Sequence, residues 1–132
     1  MPSLKNICHY WSSMIVVAVI IYVTWIPRPI ESEYLLQIPY VDKLIHAIMM
    51  GGLLGALLFD YQRQNKTRAL TAKRVLEFAI CVAAFGVFNE IIQGTLPIER
   101  SFDLSDILAN WLGTLVAYFI APPAIKFVLH IK

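Results

Sequence analysis

Residues 41–60, VDKLIHAIMMGGLLGALLFD, decide how the chain folds. The stretch opens on Asp42, Lys43 and His46 and then continues from Ala47 to Phe59 without a charged side chain. A bilayer core of about 30 Å takes roughly 20 apolar residues per helix, with about 17 as the lower limit. Residues 41–59 meet that length, and the ionisable residues fall in the first turns, where a membrane helix would meet an interface. Ala47, Gly51 and Gly55 recur every fourth residue, a small-xxx-small stripe on which another helix backbone can approach closely.

Three more stretches have the same character: about 10–26, 75–96 and 104–121. In the first, Tyr10, Trp11, Tyr22 and Trp25 mark both ends as an aromatic belt does, and Pro27 and Pro29 stop it. The run has no small-x-small cleavage site after it, so it is expected to be retained as a span. In the last, Pro122-Pro123 is expected to end or kink the helix, with 124–132 as a short interfacial tail. Composition agrees: 58% of the 132 residues are hydrophobic and 15% charged, too apolar for a small soluble domain, which leaves much of its surface in water. The expected fold class is all-α: a polytopic membrane protein, an antiparallel bundle of four transmembrane helices with short loops, forming one domain over 1–132 without internal repeats.

Between the second and third stretches, residues 60–74 carry Arg63, Lys66, Arg68, Lys73 and Arg74. Basic residues packed into a short loop stay on the cytoplasmic side, and an even number of crossings then puts both termini there as well. The expected location is the cytoplasmic membrane of a bacterium, with 27–40 and 97–103 as external loops. Cys8 and Cys81 lie far apart and read as apolar fillers, neither a disulfide framework nor a metal knuckle.

An ionisable group at a helix centre in the membrane costs on the order of 2.5–3.5 kcal/mol, so each one needs a reason. Asp42 and His46 are four residues apart on one helix face. Asn89, Glu90 and Gln93 close the third stretch; Arg100, Asp103, Asp106 and Asn110 open the fourth on a stripe that reaches Gly113. With the basic loop inside, all three sets fall at one depth near the outer surface. Asp42, Glu90, Asp103 and Asp106 supply four acids there; Lys43, Arg100 and a protonated His46 supply the cations.

Plain structural roles exist for most of them. Asp103 fits an N-cap with Asp106 at N3, Asp42 fits a cap as well, Lys43 can snorkel, and amides such as Asn89, Gln93 and Asn110 can tie helices together. His46 can be a neutral imidazole bonded to a neighbouring helix. Glu90 has no such role: near a helix C-terminus the dipole opposes it, so it needs a partner such as Arg100, Lys43 or His46.

Asp42-Lys43-x-x-His46 opening a helix, Glu90-x-x-Gln93 closing the next, then Arg100-x-x-Asp103-x-x-Asp106-x-x-x-Asn110-x-x-Gly113 resemble the signature of the VanZ-like family of bacterial membrane proteins. The resemblance covers about 41–121, and three ordered blocks are far more specific than one motif. Family members often carry an aromatic residue after the His and a Gly before the Arg; here Ala47 and Glu99 stand there, outside the polar set. The resemblance implies a cell-envelope protein with a link to susceptibility to teicoplanin-type glycopeptides, and it transfers a fold and a site more safely than an activity.

The residue types point to a site that binds or modifies a lipid-linked or cell-wall ligand. Lys43 and Arg100 would clamp an anionic headgroup, Glu90, His46 and Asp106 would do the proton chemistry, and Asp42, Gln93, Asp103 and Asn110 would bind. Three other classes compete. A metal-dependent hydrolase or transferase could use Asp42, His46, Glu90, Asp103 and Asp106 as hard ligands, although no HxxxD or HExxH spacing fixes a metal, and none is assigned. A transporter with so few helices would need a homo-oligomer, and a structural partner would use the polar residues only to lock the bundle. The sequence names no cofactor. Membrane lipids are the expected partners and nucleic acid is not, because the basic excess sits in one loop beside the bilayer.

Overall fold

The computed structural model describes residues 8–26, 39–96 and 102–131. A 3₁₀ turn, Cys8–Tyr10, leads into α1 (Trp11–Trp25), followed by α2 (Val41–Gln64), α3 (Ala72–Thr95) and α4 (Leu104–Val128). The protein is all-helical across these residues. At about 1.5 Å per residue, helices of 24 and 25 residues exceed a bilayer core, and α2, α3 and α4 are all long and apolar enough to cross one. With 15 residues, α1 is shorter than the expected 10–26 and falls below the usual spanning length.

Side-chain contacts give the helix directions. Ser13 at the start of α1 meets Asp60 near the end of α2, and Thr24 at the end of α1 meets Asn89 near the end of α3. Lys43 and His46 at the start of α2 meet Asp106 and Asn110 at the start of α4. Consecutive helices are therefore antiparallel, with α1 beside α3 and α2 beside α4 running in like directions.

The bundle turns its polarity inward. Met50, Leu53, Leu54 and Leu58 of α2 recur at helical spacing and pack with Ile20 of α1, Val75, Ala79 and Val82 of α3, and Ala117 and Ile125 of α4. Outside, Leu44, Ile48, Ile80, Leu112, Leu115, Phe119 and Ile120 lie exposed, as they would against lipid. Lipid tails give no hydrophobic drive to helix association, so close backbone approach and polar ties have to supply it.

The tightest approach joins α2 and α4. A Cβ on Gly51 would stand 2.9 Å from the Gly113 carbonyl oxygen, and one on Gly113 would overlap the Ala47 carbonyl. The stripe of small residues works only as far as Gly51; Gly55 has nothing within 4 Å of a built Cβ.

Three helix ends reach beyond the expected ones. Residues 60–64 belong to α2 instead of the basic loop, because Asp60 is drawn inward by α1: it accepts from Ser13 N at 2.9 Å and Ser13 Oγ at 2.8 Å. Gln62 Nε2 then donates to Asn65 O and Arg68 O, closing the helix end. Thr71 caps α3, accepting from Arg74 N at 3.3 Å, so 72–74 are helical too. At the third end, α4 passes through Pro122 and Pro123 and stops at Val128, where Leu129 N bonds Ile125 O. Proline has a helical φ; its cost is a missing N–H, here for the carbonyls of Tyr118 and Phe119 near one end of the bundle.

Candidate functional site

The polar residues of three helices meet at the end of the bundle away from the connection 65–71. Helix periodicity puts Asp42, Lys43 and His46 on the first turns of α2, and α4 begins beside them because Asp103 caps it. Asp103 Oδ1 accepts from Ser105 N at 2.8 Å and Ser105 Oγ at 2.6 Å. Those bonds, with Lys43 adding to them, hold the Asp103 carboxyl below its usual range. Asp106, one turn into α4, is then aimed at α2.

Lys43 Nζ lies 3.2 Å from Asp106 Oδ1 and 3.4 Å from Asp103 Oδ2, bridging α2 to α4 at the rim. Beneath it His46 is 2% exposed and stands among three helices. Its Nδ1 is 3.3 Å from Asn110 Oδ1 and 3.4 Å from Glu90 Oε1; its Nε2 is 3.7 Å from Asp106 Oδ2. Glu90 and Asn110 are both fully buried. Gly86 on α3 makes room for Asn110: a Cβ there would come within 3.2 Å of the Asn110 Cβ.

Neither oxygen of Glu90 has a hydrogen-bond partner among the described residues, and Asn110 Nδ2 is also unpartnered. Buried polar groups are bonded in the large majority of cases; away from this histidine, Gln62 Oε1 and Asn89 Nδ2 are the other buried side-chain atoms without a partner among the described residues. Asp42 is exposed at the mouth, and one ligand atom each from Asp42, His46 and Asp106 fall within 4.8 Å of one another. A cation placed among those three would have nitrogen and oxygen donors from two helices.

The α3 residues that flank Glu90 turn elsewhere. Asn89 Oδ1 accepts from Trp25 Nε1 at 2.9 Å and Thr24 Oγ1 at 3.0 Å, and Gln93 Nε2 donates to Thr24 O at 3.0 Å. Gln93 thus fastens α1 to α3 and does not join the group around His46. Arg100, with Glu99, lies outside the described residues.

The sequence reading passed over Asp60 and its partner Ser13. Arg63 Nη2 lies 3.4 Å from Asp60 Oδ1 and donates to His9 O at 2.8 Å, and its guanidinium sits 5.5 Å from the Trp11 ring. The signal available was the i,i+3 spacing of Asp60 and Arg63, hidden by the dense charge that follows.

An apolar groove of about 510 Å³ begins beside the polar group and follows α2 and α4, lined by Leu44, Ile48, Gly52, Leu112, Val116 and Ile120 among others.

The family model described as VanZ/LLP1 matches residues 4–128. The chain belongs to the VanZ/LLP1 family. The VanZ-like blocks quoted above all lie inside that match, which takes in α1 through α4. No curated protein and no solved structure matches the chain.

Proposed function

We propose that this VanZ-family membrane protein holds the anionic headgroup of a lipid-linked or cell-wall ligand at the polar end of its bundle, in the outer leaflet of the bacterial cytoplasmic membrane. The connection 65–71 and both termini face the cytoplasm in this reading. Lys43 and Arg100 are the cations that meet the headgroup. His46 and Glu90 exchange a proton with it, and Asp106 lies beside His46 on the opposite side. The ligand's acyl chain follows the groove between α2 and α4. Altered susceptibility to teicoplanin-type glycopeptides is the cellular consequence.

One observation carries the reading: a fully buried Glu90, neither of whose oxygens has a hydrogen-bond partner among the described residues, 3.4 Å from a buried histidine. A residue kept only to lock helices would be bonded, as Gln93 is to Thr24 O. The test uses the full chain in detergent, with short-chain phosphatidylglycerol as the probe and phosphatidylcholine as the neutral comparison. Glu90→Ala, Arg100→Ala and Asp106→Ala, made singly, are each expected to weaken phosphatidylglycerol binding at least tenfold while membrane insertion stays at the wild-type level. Variants that bind as the wild type does would overturn the proposal.

A further inference from the structure

The two nitrogens of His46 face different surroundings. Nδ1 lies 3.4 Å from Glu90 Oε1 and 3.3 Å from Asn110 Oδ1. An ionised carboxylate accepts only, so with Glu90 in that form a proton sits on Nδ1 whichever way the Asn110 amide points. In the neutral ring Nε2 then carries a bare lone pair, directed at Asp106 Oδ2 across 3.7 Å. Two acceptors facing each other repel, and 3.7 Å is too long for a hydrogen bond even if the ring were charged.

That separation suits two ligands of one metal ion. Donors about 2.1 Å from a tetrahedral centre stand about 3.4 Å from each other. Lys43 occupies Asp106 Oδ1 at 3.2 Å and leaves Oδ2 turned to the histidine. Asp42, one helical turn before His46, brings a third donor, and the three ligand atoms lie within 4.8 Å of one another. Glu90 behind Nδ1 completes a carboxylate–histidine–metal series of the kind that fixes the tautomer of metal-binding histidines. Its unpartnered oxygens, fully buried and beside the ring, are an observation independent of the acidic cluster itself.

We infer that Asp42, His46 and Asp106 form a three-donor site for a divalent first-row ion, with Zn²⁺ preferred to Mn²⁺ and both to Mg²⁺, and that Glu90 positions the histidine. Imidazole among the donors selects against Mg²⁺, and the order of Zn²⁺ over Mn²⁺ follows general divalent affinities. Three protein donors leave a position open at the mouth, where an anionic headgroup oxygen can bind. The ion also adds to Lys43, which meets Asp103 and Asp106 there, in offsetting the acids. This last role rests on the headgroup reading; binding of the ion alone does not.

The experiment uses the full-length protein in detergent, stripped with a chelator and titrated with Zn²⁺, Mn²⁺ or Mg²⁺ alone. One Zn²⁺ per chain is expected, bound at least tenfold more weakly by His46→Gln and by Asp106→Asn. Glu90→Gln is expected to keep the stoichiometry and weaken binding about 10- to 100-fold, as loss of an outer-shell partner does. Because a variant can misfold, Co²⁺ is added to the wild type as well: visible absorption bands of a low-coordinate mixed N/O site are expected. Absence of those bands, or equal Zn²⁺ binding by wild type and His46→Gln, overturns the inference. Repeating the phosphatidylglycerol titration with and without Zn²⁺ separates the two readings. Zn²⁺ binding without lipid binding removes the headgroup role and leaves the ion site. Lipid binding that is equal in chelator, in a protein that takes up no Zn²⁺, does the reverse.

Discussion

Asp60 and Glu90 are both fully buried carboxylates in one apolar bundle, and they are treated in opposite ways. Asp60 takes a backbone N–H and a hydroxyl from Ser13 and an ion pair from Arg63, so its charge is answered on every side. Glu90 has a histidine at 3.4 Å and no hydrogen bond among the described residues. Leaving a buried polar atom unbonded costs about 1–3 kcal/mol, and more for a charged group. One end of the molecule therefore uses its carboxylate to hold α1 against α2. The other keeps a carboxylate that contributes nothing evident to holding the helices, and it is there that a ligand is expected.

Substitutions can break this contrast or sharpen it. The largest effect is expected from Asp60→Ala, which strips Ser13 of its acceptor and Arg63 of its partner; a loss of about 3 kcal/mol in unfolding measured in detergent follows from bonds to a charged group. Zn²⁺ and phosphatidylglycerol binding at the far end should survive in the folded fraction. Next comes Gly113→Ala, whose methyl would meet the Ala47 carbonyl. Overpacking there should cost about 2–3 kcal/mol and, by pushing α2 from α4, weaken ligand binding together with stability.

Gly86→Ala is milder. Its methyl would press on Asn110 at 3.2 Å, so about 1 kcal/mol and a displaced Asn110 are expected, seen as weaker binding with a small change in unfolding temperature. Smaller still is Asp103→Asn. Bonds from Ser105 and Lys43 lower the Asp103 carboxyl, so the ionised form is favoured by folding. The stability it adds is present above the ordinary carboxyl range and is lost as pH falls through the lowered value. The unfolding temperature of the wild type should exceed that of Asp103→Asn at neutral pH, and the difference should close below about pH 4.

Much of this contrast could be read from the sequence, and the unread part has definite causes. Long apolar runs and helical spacing sufficed to place α2, α3 and α4 and to bring Lys43, His46, Glu90, Asp106 and Asn110 to one end, since antiparallel connection leaves little choice of direction. The facing of Asn89 and Gln93 was hidden, because α3 is apolar on all sides and its pattern does not say which neighbour an amide meets. Asp60 was hidden for a different reason: its neighbours in sequence are charged, and only contact with Ser13 in a distant helix keeps 60–64 helical. Pro122-Pro123 does not end α4, since a helix already packed through Ile125 tolerates two missing donors that an isolated one would not.

The measurement that bears most directly on the claim that the Glu90 end is kept for a ligand is the unfolding free energy of Glu90→Gln beside that of Asp60→Asn, both in detergent without ligand or metal. Glu90→Gln replaces a buried carboxyl that has no hydrogen bond among the described residues, so its stability should equal or exceed that of the wild type, while Asp60→Asn should lose about 2 kcal/mol or more. A loss for Glu90→Gln as large as that for Asp60→Asn would mean that Glu90 is a structural tie like Asp60, and the functional reading of that end would be contradicted.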